Sequence, residues 1–283
     1  MAKPKHIELS DGNLTIPILY EDRSVMAVDK PAGWLCAPDS WDQTGRNLQL
    51  ALQSSLNAGD FWAHSRNLKY LRFIHRLDAE TTGILLLAKS PGALRAFSEM
   101  FETRSVEKHY LAVVHGLPKQ KEWTCNLPLM VDPTMKGRMR IAPPGKRPAP
   151  RDADPELRTQ NSALLPKDAE TQFRVVTTLA NMAVIEAHPT TGRTHQIRVH
   201  LTAAGHPIVG DPLYGPDKAA ASKGRQRIAL RAVRLAFRDP FQKRMIYIEA
   251  PIDEFAKEYG FDPKLYAREP KARGVGASTP AKS

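Results

Sequence analysis

Apolar residues in this chain fall into short runs and stripes separated by turn residues, and their spacing predicts a mixture of strands and helices. Leu71, Phe73 and Ile74 read as a short apolar strand, and Gly83-Ile84-Leu85-Leu86-Leu87-Ala88 as a second, apolar enough to be buried on both faces. Ile16 to Asp22 and Val25 to Gly33 give a strand, an acidic turn, another strand and a Pro/Gly stop. Leu48, Leu50, Ala51, Leu52 and Leu56 suggest a helix. Ser90 and Pro91 supply a cap and a first-turn proline for a helix whose stripe is Leu94, Phe97 and Phe101. Lys108 to Gly116, Thr171 to Thr177, Met182 to Ala187 and Met245 to Pro251 read as later strands. Ile197, Leu201 and Ala204, with Gly205 just beyond, mark one more helix with a buried stripe and a glycine stop.

Three stretches break the pattern. Residues 1–15 are polar and read as a disordered lead-in, and the basic, Gly/Pro-containing end of the chain (261–283) reads as a disordered tail. Between them, residues 131–168 carry Pro143, Pro144, Pro148, Pro150 and Pro155 among many charges, a density that opposes helix and sheet alike. The expectation is one folded domain over 16–260 with a basic surface insertion at 131–168. Lys136, Arg138, Arg140, Lys146, Arg147 and Arg151 could track a phosphate backbone there, or the segment could be a solvated loop.

At 283 residues, with 42% apolar content, the chain can bury a sizeable core. Its apolar runs are far too short to span a bilayer, and no apolar signal core follows the first residues, so a cytoplasmic protein with no membrane partner is expected. Cys36 and Cys125 lie far apart without C-x-x-C spacing, which suggests neither a disulfide framework nor a thiolate zinc site. The formal charge is +11 and the pI about 9.7. A polyanion such as RNA is then the first partner to consider, provided a site exists that needs one.

Candidate chemistry concentrates between the first two apolar strands, in Phe73-Ile74-His75-Arg76-Leu77-Asp78-Ala79-Glu80-Thr81-Thr82-Gly83. Strands on both sides would hold the Asp78 carboxylate rigidly, and Thr81, Thr82 and Gly83 suit a tight turn. A lone Asp in a loop is more often a turn former or ion-pair partner, and residue types alone leave both readings open. Tyr110 is similarly open, because a strand tyrosine usually packs its ring and bonds at its tip. Four histidines lie between 188 and 206. His195 and His200, five apart, would sit roughly 140° round a helix, so structural histidines are the better reading and no metal is expected.

His75 to Gly83 resembles the H-R-L-D-x-x-T-S-G signature of the RluA-type pseudouridine synthases, departing only at Thr82, where the family usually has Ser. Tyr20-Glu21-Asp22 and Lys30-Pro31-Ala32-Gly33 resemble the family's first motif, and Lys108 to Gly116 its K-x-Y-x-A-x-V-x-G motif. Thr191 to His200 resembles T-G-R-x-H-Q-I-R-x-H, followed by the Gly205 to Gly215 run, and Arg227 to Ala232 the last motif. The resemblance covers roughly residues 18–252. It implies an α+β class and the pseudouridine synthase fold, a long mixed, largely antiparallel sheet with flanking helices and an RNA cleft. It also implies an isomerase that converts uridines of rRNA or tRNA to pseudouridine, without cofactor, as a monomer. Asp78 would be the catalytic nucleophile, Arg193 its paired cation, and Tyr110 would stack on the uracil. Arg76 would fill the space of the flipped base and Leu230 would line the pocket. Many family members carry a further small RNA-binding domain ahead of the first motif, where this sequence has residues 1–15, so RNA affinity is expected to come from the catalytic domain, the insertion or partners.

Two other classes fit parts of the pattern. A glycoside hydrolase could use Asp78 and Glu80 as its carboxylate pair, though residues two apart in a turn need not converge on one sugar. An RNA-binding protein that keeps the fold without chemistry is the other, and the intact Asp78, Tyr110 and Arg193 argue against it.

Overall fold

A computed structural model describes residues 3–9, 14–36, 46–145, 165–216 and 227–266. Its first strands are β1 (His6–Leu9), β2 (Leu14–Glu21) and β3 (Val25–Lys30), followed by helices α1 (Leu48–Ala58) and α2 (Phe61–His64). Then come β4 (Arg72–Phe73), β5 (Thr82–Ala88), α3 (Pro91–Glu102), β6 (Val106–His115), β7 (Glu122–Cys125) and the pair β8 (Leu129–Val131) and β9 (Met139–Ile141). The second half supplies β10 (Thr171–Leu179), β11 (Met182–Pro189), α4 (Gln196–Ala203), β12 (Leu230–Arg238), β13 (Met245–Glu249) and α5 (Asp253–Tyr259). Among these residues no helix is long and apolar enough to cross a membrane.

One sheet of eleven strands runs β1-β2-β3-β5-β12-β6-β11-β10-β7, with β4 added at β5 and β13 at β12. Its neighbours pair antiparallel except at the centre, where β5 and β12 meet in parallel through Thr82 with Arg231 and Gly83 with Ala232. The two halves of the chain join at this short seam. Gly83 makes it possible, with φ +102° and so little room that an added Cβ would run into the Ala232 carbonyl. Beyond the seam, β4 takes up the edge of β5 and β13 that of β12, so the edge groups released there are paired again.

Alternation explains why β5 is apolar throughout. Leu85 and Leu87 face Met26, Val28, Leu48, Leu52 and Trp62 under α1 and α2. Ile84, Leu86 and Ala88 face Val25, Phe97, Leu235 and Phe237 under α3. α3 is capped as its sequence predicts, the Ser90 hydroxyl accepting from the Ala93 N–H at 3.1 Å. A third cluster packs β6, β10, β11 and β12 against α4 and α5. The mixed sheet with its few helices is the α+β arrangement expected.

Three expectations need correcting. The lead-in contains β1, whose Ile7 and Leu9 are buried and pair with Ile16 and Leu14. Its period-two pattern spans only four residues, too few to stand out against polar flanks. The insertion begins with an ordered hairpin, in which Leu129, Met130 and Val131 pair with Ile141, Arg140 and Met139. Leu129 also exchanges both backbone hydrogen bonds with Lys167, so both ends of the segment are stitched to the fold; residues 146–164 lie outside the described residues. At the far end, Phe261 and Tyr266 are buried against the third cluster, so 261–266 belong to the fold; the rest of the expected tail, 267–283, lies outside the described residues. Cys36 is buried and Cys125 half-buried, and both are free thiols.

Candidate active site

The seam of β5 and β12 sets the site, because the loop carrying Asp78 enters β5 there while Tyr110 on β6 pairs with Ala232 on the other side of β12. The loop is fastened on both sides of Asp78. Lys30, fully buried at the end of β3, donates from Nζ to the carbonyls of Pro31, Ala79 and Thr81 at 3.0, 2.7 and 3.0 Å. Burial draws its ammonium down to about 8. The Ala79 carbonyl also accepts from Gly33 N–H at 2.9 Å, and the Asp78 carbonyl from Thr81 N–H at 3.1 Å. Upstream, His75 stacks on Phe101 with ring centroids 4.7 Å apart, and its Nε2 accepts from Leu86 N–H at 3.1 Å. Accepting requires a neutral ring. Burial, and secondarily the charge of Lys108, keeps it so by lowering the imidazole to about 3.

The Asp78 carboxylate is 21% exposed, and its Oδ2 accepts from Arg198 Nη1 at 3.1 Å. Arg198 is itself buried and anchored. Its Nε and Nη2 form a fork with Asp211 Oδ2 and Oδ1, each at 2.8 Å, and its guanidinium lies 5.1 Å from the centroid of the Tyr214 ring. Asp211 is held in turn by the backbone N–H groups of Leu213 and Tyr214, at 2.9 and 3.1 Å on Oδ1. Burial works against the Arg198 charge, but Asp211 and then Asp78 outweigh it and raise its pKa, so it is a permanent cation.

The turn leading into α4 is set by Gln196. Its Oε1 accepts from Thr191 Oγ1 and Arg193 N–H, and its Nε2 donates to the Glu170 carbonyl and Thr171 Oγ1. His195 precedes the helix at φ +55°. Its Nδ1 lies 2.9 Å from the Tyr214 hydroxyl and its Nε2 3.9 Å from Asp78 Oδ2. Burial lowers its pKa, with Asp78 opposing, so it is mainly neutral near pH 7.

Set against the sequence, the structure brings Asp78 and Tyr110 to the seam and corrects the assignment of the cation. Arg193 is not the partner of Asp78, since its Nε donates to the Asp168 carbonyl at 2.8 Å on the outer side of the turn. It stands before the helix, whereas Arg198 stands within it, on the arc that faces the sheet. A signal was present, because a charged residue next to Ile197 and within reach of the stripe to Leu201 must find a buried counter-charge. His195 is a second correction, as it faces Asp78 instead of serving structure alone. His200 is structural, bonded to Thr171 Oγ1 and the Leu127 carbonyl. Among the described residues no three metal-ligating side chains cluster.

Tyr110 is a neutral phenol here, its pKa raised well above the usual range by burial and then by the charge of Asp78. Leu230 is buried at the start of β12, within the third core cluster. Arg76 is exposed on the loop two residues before Asp78. The arrangement therefore offers one ionisable carboxylate at an opening, a buried cation that fixes it, an aromatic ring beside it and an arginine at the rim. Among the described residues, no side-chain hydrogen bond turns Glu80, the other carboxylate of the loop, toward Asp78.

Comparison with known proteins follows the same lines. The family model described as RNA pseudouridylate synthase matches residues 24–203. Large-subunit ribosomal pseudouridine synthase C of Escherichia coli strain K12 is 33% identical over 245 residues, 85% of this chain and 67% of that protein. The Vibrio vulnificus protein of that name is 31% identical, over 84% and 66%. The chain thus spans about two thirds of the length of these relatives. Among solved structures, human RNA pseudouridylate synthase domain containing 1 aligns with TM-score 0.59 and 26% identity, covering 83% of each chain. Human RNA pseudouridylate synthase domain containing 4 shares the fold at TM-score 0.63 and 24% identity, over 87% and 90%. By its motifs, its fold and the extent of these matches, this chain belongs to the RNA pseudouridylate synthase family.

Proposed function

We propose that this chain isomerises uridines in large-subunit ribosomal RNA to pseudouridine, with Asp78 as the nucleophile. The observation that carries the proposal is the Asp78 carboxylate, partly open to solvent yet locked by a buried Arg198–Asp211 fork beside the Tyr110 ring. The names of the relatives favour ribosomal over transfer RNA as substrate.

In the proposed reaction, an Asp78 oxygen bonds to C1′ of the target ribose as the bond from N1 to C1′ breaks, and the electron pair leaves with the uracil. The uracil turns in place, C5 bonds to C1′, and the carboxylate is released. C5 then gives up its proton and N1 gains one, so nothing is oxidised, reduced or hydrolysed. Arg198 faces the Asp78 carboxylate with a fixed positive charge before attack and again when the carboxylate departs as a leaving group. Tyr110 supplies a face for the uracil. Its phenol is held neutral first by burial and second by the charge of Asp78, and esterification of the carboxylate removes the second of these. The base must leave its stack to reach this site, and Arg76 at the rim would fill the vacated space.

Asp78→Asn tests the proposal. The amide is nearly isosteric, so folding and RNA binding should persist while release of tritium from uridine labelled at C5 falls to background. Release at the wild-type rate would refute Asp78 as the nucleophile. Pseudouridine mapping of ribosomal and transfer RNA from cells with and without the gene identifies the substrate, and a missing site in transfer RNA alone would refute the ribosomal assignment.

A further inference from the structure

We infer that His195, oriented by Tyr214, is a positioning residue that acts with Arg198 to fix which oxygen of Asp78 attacks. Both neighbours of the carboxylate approach the same atom, Arg198 Nη1 at 3.1 Å and His195 Nε2 at 3.9 Å from Oδ2. Among the described residues no side chain bonds Oδ1. Arg198 bonds Oδ2, and His195 Nε2 stands 3.9 Å away on the side of the same atom, so the two groups restrict that oxygen and leave Oδ1 as the one presented to the sugar.

For this to work, His195 must carry its proton on Nε2, and the hydrogen bonds around Tyr214 require that. The Tyr214 hydroxyl accepts the Met139 N–H at 2.8 Å, and its single proton needs an acceptor. Among the described residues, His195 Nδ1, at 2.9 Å, is the acceptor in reach. With Nδ1 accepting, the neutral ring bears its hydrogen on Nε2, the atom turned toward Asp78. The charged groups around the imidazole are Asp78, Arg198, Asp211 and Arg76, the two acids and two bases leaving it close to balanced, and burial favours the neutral form. The backbone supports a side-chain role as well. His195 holds φ +55°, where glycine would be relieved of strain, so the position retains an imidazole at a conformational cost. Met139 belongs to the β8–β9 hairpin, which makes that hairpin the far end of a relay running Met139, Tyr214, His195, Asp78.

The inference rests on Asp78 being the reacting carboxylate, and the test separates the two. Nitrogen-15 spectra of histidine-labelled protein should show His195 with an unprotonated Nδ1 and a hydrogen on Nε2, and Tyr214→Phe should shift it toward a mixture of tautomers. In single-turnover tritium release from C5-labelled RNA, His195→Ala should lower the rate about 10- to 100-fold with RNA affinity unchanged. His195→Gln, whose amide nitrogen reaches the place of Nε2, should recover much of that loss, and His195→Asn, whose amide reaches only the place of Nδ1, should not. A hydrogen found on Nδ1, a wild-type rate in the Ala variant, a loss confined to affinity, or equal rates for Gln and Asn would each overturn the inference. If Asp78→Asn were itself active in the same assay, the nucleophile assignment would fall instead.

Discussion

Replacing Arg198 by leucine strips one carboxylate that has no access to water and another that is only partly exposed. Asp211 has a fully buried side chain, and its Oδ2 has Arg198 Nε as its hydrogen-bond partner; Oδ1 would keep the N–H groups of Leu213 and Tyr214. Asp78, 21% exposed, can recover part of its loss from solvent, so the cost falls mainly on Asp211. Removing one member of a buried pair typically costs about 3–5 kcal/mol. For a chain of this size that corresponds to a fall in Tm of about 6–20 °C. Arg193→Leu removes, among other contacts, an exposed bond to the Asp168 carbonyl and strands no fully buried carboxylate, so it should cost less than Arg198→Leu. Calorimetry or urea unfolding on both variants makes the comparison, with tritium release measured in parallel. The double variant Arg198→Leu with Asp211→Leu should regain much of the stability, since no unpaired charge remains buried, yet stay inactive because Asp78 has lost its cation. An Arg198→Leu protein as stable as wild type, or an Arg193→Leu protein less stable than the Arg198→Leu protein, would refute the assignment of the buried fork.

Tyr110→Phe should bind RNA about as well as wild type, because the ring remains, while turnover falls by about 100-fold if the hydroxyl moves the C5 proton; unchanged single-turnover rates would reduce the residue to a stacking surface. His75 titrates near 3 in the folded protein against roughly 6.5 when unfolded. The unfolded chain therefore binds the extra proton between those values, and stability should fall as pH drops through that window. His75→Phe keeps a ring against Phe101 but cannot be protonated, so its stability should lose that part of the acid dependence, and parallel curves for the two proteins would contradict the buried neutral imidazole. RNA affinity should fall steeply with salt, log affinity declining linearly with log salt, as a chain of net charge +11 displaces counterions from phosphates. A flat plot would rule out phosphate neutralisation as the main source of affinity.

Several features of this protein were legible in the sequence because they depend on neighbours along the chain. The apolar run of β5 declares a strand covered on both faces, and Ser90 with Pro91 declares the start of α3. The His75 to Gly83 motif pointed to Asp78 through the family it resembles, and the loop and its flanking strands are contiguous in the chain. Partnership across the fold was not legible. Arg193 and Arg198 sit in one motif with the same side chain, and only the point at which the helix begins, three residues after Arg193, decides which of them reaches the sheet. The counter-ion of Arg198 arrives from thirteen residues later and that of Asp78 from 120, distances over which spacing carries no geometric information. β1 was hidden because four alternating residues become a strand only when β2 offers an edge, and the β8–β9 hairpin because its composition resembled a loop until Leu129 and Tyr214 provided something to pack on and bond to. The residue types set which chemistry the chain can offer, and the tertiary structure decided which of those groups meet, because burial forces each charge to the nearest partner that can compensate it.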